Sequence, residues 1–122
     1  MTNQLQGEVL FKGWDSAQDQ WVYTPWMPVR GDVGTFGLEV LNVSGVTLTW
    51  SVETRTAEDP DDVDAMFTNQ TATAVGTFTI TSSPSEQKAK QWVRYRFATG
   101  GTASVTDYVI FRALQPSWES NR

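Results

Sequence analysis

The residues that decide the fold are Val46-Thr47-Leu48-Thr49-Trp50-Ser51-Val52-Glu53-Thr54-Arg55. Apolar and polar side chains alternate along this stretch, and a period of two is typical of a β-strand with one buried and one solvated face. Residues 91–98 repeat the pattern, with apolar side chains at positions 93, 95 and 97. The two stretches predict antiparallel sheets that each bury one face.

Further stretches predict strands, and short turn signals separate them. The predicted strands cover residues 7–12, 21–24, 35–42, 46–55, 74–82, 91–98 and 102–114. About seven or eight short strands predict an all-β antiparallel sandwich, either jelly-roll-like or immunoglobulin-like. The core predicted from the alternation comprises Val9, Phe11, Phe36, Leu38, Val40, Leu48, Trp50, Val52, Phe78, Ile80, Val93, Tyr95, Phe97, Val109 and Phe111.

Two turn signals that contain glycine predict tight hairpins, at Ser44-Gly45 and Gly100-Gly101. The register of the second hairpin stays open between two alternatives. One places Arg94 opposite Asp107 as an ion pair, and the other, shifted by one residue, places Val93 opposite Val109. Such a shift moves every side chain of the strand to the other face of the sheet.

The composition favours binding over catalysis. The chain has no histidine and no cysteine, which carry much of acid–base and nucleophilic catalysis, and it has six tryptophans. Because tryptophan anchors binding surfaces, the surplus predicts a non-enzymatic protein without a cofactor. The net charge of −5 argues against nucleic-acid binding. The sequence shows no secretion signal and no apolar run of about 18 residues, so no membrane association is expected.

The length predicts one domain with an extension at each end. The sandwich is expected to cover residues 7–114, with a polar N-terminal arm at residues 1–6 and a C-terminal tail at residues 115–122. The tail leaves the last strand through Pro116 and carries Trp118. This tryptophan either folds back on its own domain or reaches a neighbouring subunit.

The densest aromatic stretch is Trp21-Val22-Tyr23-Thr24-Pro25-Trp26-Met27-Pro28. Aromatic rings stack on sugar faces and anchor protein interfaces, and they also pack loops onto a core. These uses stay open, with a protein interface favoured over a glycan surface. The candidate interface residues are Trp21, Tyr23, Trp26, Met27, Trp92 and Trp118.

A second candidate surface combines basic and aromatic residues. Stacking platforms of this kind hold single-stranded nucleic acids. In an acidic chain with few lysines, a protein interface or a solvated sheet face is the favoured interpretation. The residues concerned are Trp92, Arg94, Arg96, Tyr108 and Arg112.

The acidic stretch at residues 58–64 offers carboxylates to a hard cation such as calcium. It lacks the glycine and the distal glutamate of the helix–loop–helix calcium motif. A solvated loop is therefore favoured, and no bound metal is predicted. The weak candidate ligands are Asp59, Asp61, Asp62 and Asp64.

In whole-chain character the sequence resembles small virion proteins of tailed bacteriophages, such as capsid decoration (cement) and head or tail accessory proteins. The resemblance rests on an unsecreted, cysteine-free, acidic β-sandwich rich in threonine, glycine and tryptophan, with an arm at each end. Since no motif matches, it assigns no functional residue. It implies a structural protein of the virion, made in the host cytoplasm, that binds capsid or tail subunits as a homo-oligomer or on the particle lattice. The alternative is a carbohydrate-binding module, or a phage receptor-binding tip, that uses surface tryptophans.

Overall fold

The computed structural model describes residues 9–12, 21–82, 88–100 and 108–119. The predicted arm at residues 1–6 lies outside these ranges, and so do the side chains of Val9 and Phe11. The strands are β1 (Val9–Lys12), β2 (Val22–Tyr23), β3 (Met27–Pro28), β4 (Val33–Ser44), β5 (Thr47–Arg55), β6 (Val63–Ala65), β7 (Gln70–Ala72), β8 (Gly76–Thr81), β9 (Trp92–Gly100), β10 (Tyr108–Ala113) and β11 (Ser117–Glu119).

The strands form two antiparallel sheets, and the predicted all-β sandwich is confirmed. The five-stranded sheet has the order β1-β10-β4-β11, with β8 also paired to β4. The six-stranded sheet has the order β2-β9-β5-β6, with β3 on β9 and β7 on β5. The prediction missed β3, β6, β7 and β11 because two or three residues are too few for alternation to show. No helix that is long and apolar enough to cross a membrane occurs in the described ranges.

Neither predicted hairpin forms, because the two strands that flank each turn signal belong to different sheets. Gly45, with φ 74°, follows β4 of the five-stranded sheet, and β5 of the six-stranded sheet begins two residues later. β9 belongs to the six-stranded sheet and β10 to the five-stranded sheet, so the two strands do not pair with each other. Both registers considered for the last hairpin are therefore wrong. Arg94 lies opposite Glu53 of β5, and Val109 lies opposite Val43 of β4. Two consecutive strands that each bury one face can pack across a core instead of pairing edge to edge.

The core lies between the two sheets and contains most of the predicted residues. Phe78 and Ile80 are partly buried and pack against it. The prediction missed Met27, Val46, Met66, Phe67, Ala72 and Ala113, which are also buried. The predicted residues that are buried are Phe36, Leu38, Val40, Leu48, Trp50, Val52, Val93, Tyr95, Phe97, Val109 and Phe111.

One hydroxyl group joins the two sheets inside the core. Tyr95 of β9 donates a hydrogen bond to the carbonyl oxygen of Leu114 (2.9 Å) and accepts one from the amide of Gly37 on β4 (2.8 Å). Burial raises the pKa of Tyr95 well above its usual value of 10.0, because the ionised form would lose its hydration. The hydroxyl therefore stays neutral and acts as a fixed polar link between the sheets.

The predicted C-terminal tail is, for residues 115–119, part of the sandwich. β11 pairs with the start of β4 and places Trp118 opposite Gly34. The Trp118 ring meets Phe36 edge-on, with 5.5 Å between the ring centroids, and a Cβ atom on Gly34 would come within 2.7 Å of the indole. Gly34 thus leaves the space that the ring needs. Of the two alternatives for Trp118, the structure shows the one in which it packs on its own domain.

Candidate functional site

The candidate site covers the outer face of the six-stranded sheet. Because side chains alternate along a strand, burial of Val93, Tyr95 and Phe97 in the core directs the even-numbered residues of β9 outward. The register of β9 with β5 adds outward side chains of β5, and the segment at residues 21–26 adds aromatic rings. We call this surface the aromatic–arginine layer; it comprises Trp21, Tyr23, Trp26, Glu53, Arg55, Trp92, Arg94 and Arg96.

Guanidinium groups and aromatic rings stack throughout the layer. The Arg94 guanidinium lies 3.9 Å from the ring centroid of Tyr23 and 4.3 Å from that of Trp26, so two rings share one cation. The Arg96 guanidinium lies 4.2 Å from the Trp21 ring, and that of Arg55 lies 5.0 Å from the Trp26 ring. All four distances are within the roughly 6 Å at which a cation is attracted to a ring face. These contacts fix the rings in place on the sheet.

A glutamate holds two of the arginines from below. Arg94 lies opposite Glu53 and donates from Nε to Glu53 Oε1 at 2.9 Å. Arg96 Nη1 lies 3.6 Å from Glu53 Oε2, and Arg96 Nη2 donates to Asn69 Oδ1 at 2.9 Å. The three charged side chains are only 12–23% exposed, although they lie on an outer sheet face. Since aromatic rings stack on both arginines, the layer shields its own ion pairs from water.

Thr24 fastens the aromatic segment to β9. Its hydroxyl oxygen accepts a hydrogen bond from the Tyr95 amide at 3.0 Å, and its own amide donates to the Tyr95 carbonyl oxygen at 3.1 Å. The residue is 3% exposed. Because Thr24 lies between Tyr23 and Trp26 in the chain, this double attachment helps to hold both rings against Arg94.

The layer offers two kinds of contact to a ligand. Tyr23 is 45% exposed, and Trp21, Trp26 and Trp92 are partly exposed, so apolar ring surface reaches the solvent. The guanidinium groups of Arg55, Arg94 and Arg96 lie against these rings as charged donors. From Trp92 to Arg96 the layer extends about 13 Å along β9, at about 3.2–3.4 Å per strand residue. It therefore suits an extended molecule with apolar faces and polar edges.

The structure brings four of the predicted interface residues together and separates the other two. Trp21, Tyr23, Trp26 and Trp92 belong to the layer. The prediction was wrong for Met27, which is 8% exposed and lies in the core because it pairs with the buried Val93. Trp118 lies in the other sheet, where it packs on the core.

The predicted basic–aromatic face is divided between the two sheets. Arg112 and Tyr108 lie on β10 of the five-stranded sheet, and Arg112 pairs there with Glu39 at 2.6 Å. The residues that sequence reasoning missed are Thr24, Glu53, Arg55 and Asn69. Alternation within residues 46–55 already placed Glu53 and Arg55 on the solvated face, but only the pairing of β5 with β9 connects them to the arginines.

The acidic stretch does not gather its carboxylates. Among the residues that the structure describes, no group of three or more histidine, cysteine, aspartate or glutamate side chains is placed to hold a metal ion. Asp62 and Asp64 both pair with Lys90, and Asp59 Oδ1 instead accepts a hydrogen bond from the amide of Asp61 at 3.0 Å. The hydrogen bonds of Lys90 to Asp64 and Asp62 raise the pKa of Lys90, since they favour its charged form.

Comparison with known proteins adds a fold relationship. No protein-family model matches the chain, and no curated protein sequence matches it. A solved structure described as "CBM4 structure and function", a carbohydrate-binding module by that name, superimposes with a TM-score of 0.53 over 95% of this chain and 91% of the other, at 16% sequence identity. The chain therefore has a β-sandwich fold similar to that of this module.

Proposed function

We propose that the protein is a non-catalytic carbohydrate-binding module and that the aromatic–arginine layer is its binding surface. The observation that carries the proposal is the stack of Tyr23, Arg94 and Trp26 on an outer sheet face. A pyranose ring has an apolar C–H face that packs on aromatic rings, and its hydroxyl groups accept from guanidinium donors and donate to carboxylates. The layer supplies both kinds of partner side by side.

Preorganisation supports this function. A side chain that a ligand must immobilise costs about 0.5–1.5 kcal/mol of binding free energy. In the layer the guanidinium groups already hold the rings, and Glu53 and Asn69 already hold the guanidinium groups. Little ordering is left for the ligand to impose, which favours binding to a shallow, open surface.

The fold relationship also supports the proposal. The sandwich is similar to that of a carbohydrate-binding module across nearly the whole of both chains. The approximate length of the layer, about 13 Å, fits a short oligosaccharide better than a single sugar.

A structural assembly role is the second proposal, and one observation favours it. Arginine, tryptophan and tyrosine, the residues that form the layer, are also the residue types enriched at the energetic centres of protein interfaces. Val22 and Tyr23, at the margin of the same sheet, are 44% and 45% exposed. The partner would be another protein subunit, and the virion location inferred from the resemblance stays a prediction.

Binding of the wild-type chain to an array of neutral and acidic oligosaccharides tests the first proposal. We expect at least one oligosaccharide to bind, and we expect Trp26→Ala to weaken that binding by about tenfold, the loss that a central contact residue gives. Tyr108→Ala, which removes a ring from the five-stranded sheet, is the matched control and should bind as the wild type does. If the wild type binds no oligosaccharide and light scattering shows a defined oligomer that Trp26→Ala dissociates, the assembly role replaces the first proposal.

A further inference from the structure

The charge of the aromatic–arginine layer is opposite to that of the whole chain. The chain carries a net charge of −5, whereas the layer contains three arginines against one glutamate, a net charge of +2. A positively charged patch raises the local concentration of anionic ligands, even on a protein whose net charge is negative. The layer thus favours an anion.

Arg55 has no carboxylate partner among the described residues. Its Nη1 donates to the carbonyl oxygen of Thr56 at 3.3 Å, and its guanidinium lies near the Trp26 ring. Its Nε atom is buried and has no hydrogen-bond acceptor in the described part of the chain. No acceptor in the described part of the chain binds its Nη2 donors either, so these are left for a ligand oxygen.

The nearest carboxylates are already engaged elsewhere. Glu53 accepts from Arg94 and also lies beside Arg96. Asp62 and Asp64, which follow Arg55 in the chain, both pair with Lys90. The positive charge of Arg55 is therefore not neutralised by the ion pairs of the described residues.

We infer that the ligand is an acidic glycan that carries carboxylate groups on its sugar rings, with Arg55 as the carboxylate-binding residue. The inference rests on the proposed function and specifies its substrate class. A guanidinium group binds a carboxylate through two parallel N–H donors, which a neutral hydroxyl group does not match. The Trp26 ring beside Arg55 provides the apolar surface for the sugar that bears the carboxylate.

The test measures affinity by calorimetry for a set of uronate oligosaccharides that contain galacturonate, glucuronate, mannuronate or guluronate. Each is compared with its carboxyl-reduced counterpart, which keeps the sugar backbone and loses the charge. We expect at least one uronate oligosaccharide to bind about tenfold more tightly than its reduced form, as a charge-assisted hydrogen bond gives. Added salt should narrow that difference in affinity, because Arg55 is a partly exposed residue.

Two variants that each lose one positive charge show which arginine causes the preference for the uronate. Arg55→Gln should bind the uronate and the reduced oligosaccharide with equal affinity, whereas Arg112→Gln, on the other sheet, should keep the wild-type preference. Equal affinity of the wild type for both forms, or binding to neutral oligosaccharides alone, would overturn the acidic-glycan inference and leave the proposed function standing. Failure of the wild type to bind any oligosaccharide, neutral or acidic, would overturn both.

Discussion

Replacement of Thr24 with valine removes the buried hydroxyl group that fastens the aromatic segment to β9. Valine has nearly the shape of threonine, so the change removes the hydroxyl group and little volume. The hydroxyl accepts from the Tyr95 amide and also donates to the carbonyl oxygen of Pro25, an exposed residue. The Tyr95 amide then loses the acceptor that lies 3.0 Å away in the wild type. We expect the chain to become less stable and the rings of Tyr23 and Trp26 to lose their fixed position against Arg94.

The expected loss of stability in Thr24→Val comes from the Tyr95 amide, which loses its acceptor. A buried donor that loses its acceptor destabilises a protein by about 1–3 kcal/mol. The Thr24 amide still donates to the Tyr95 carbonyl oxygen in the variant, since this contact uses the backbone alone. We therefore expect the free energy of unfolding to fall by about 1–3 kcal/mol and the segment to stay paired with β9 through its backbone, without the side-chain contact of residue 24.

Urea denaturation and glycan titration together check this prediction. Thr24→Ser is the matched control, because it keeps the hydroxyl group and loses one methyl group, at a cost of about 0.8 kcal/mol. Thr24→Ser should keep the affinity of the wild type for an oligosaccharide, whereas Thr24→Val should bind it several-fold more weakly. If Thr24→Val unfolds at the same urea concentration as the wild type and binds equally well, the hydroxyl group does not position the layer.

Four further predictions concern the core and the C-terminal strand. Tyr95→Phe leaves the amide of Gly37 and the carbonyl of Leu114 without their partner, and we expect a loss of about 2–4 kcal/mol in urea denaturation. Because the pKa of Tyr95 is raised by burial, the unfolded chain loses this proton first as the pH rises. The stabilising effect is complete below pH 10.0, and we expect it to decline above that value by up to about 1.4 kcal/mol per pH unit. Trp118→Ala removes a half-buried ring from Phe36 and should cost about 2 kcal/mol, and truncation after Leu114 should cost more, since it also removes β11.

Each of these predictions has a result that would contradict it. Unchanged stability of Tyr95→Phe would show that the hydroxyl group does not link the sheets. An equally steep alkaline decline in Tyr95→Phe and in the wild type would assign that decline to other groups, such as Lys90. A truncated chain as stable as the full chain would show that β11 and Trp118 add nothing to the sandwich.

The buried faces of the long strands could be predicted from the sequence, but the strand partners could not. Alternation along residues 46–55 and 91–98 identified Trp50 and Tyr95 as core residues, and both are buried. The same alternation is satisfied equally well whether the next strand pairs edge to edge or packs across the core. Only the three-dimensional structure therefore shows that the chain passes from one sheet to the other at Gly45.

Only the aromatic residues of the candidate site could be predicted from the sequence. The density of rings at residues 21–28 pointed to Trp21, Tyr23 and Trp26, although the adjacent Met27 lies in the core because the two-residue strand β3 pairs it with Val93. Glu53 is distant in sequence from the arginines it holds, since Arg94 lies 41 positions further along the chain. Contacts of this range depend on strand register, which a single sequence does not specify.

A nuclear magnetic resonance titration shows directly whether a glycan binds to the aromatic–arginine layer. The wild-type chain is titrated with the oligosaccharide that binds best in the array, and the indole N–H and guanidinium Nε–H signals are followed. We expect these signals to shift at Trp21, Trp26 and Arg94 and to stay unchanged at Trp118 and Arg112. Absence of binding to every oligosaccharide, or shifts confined to the five-stranded sheet, would contradict it.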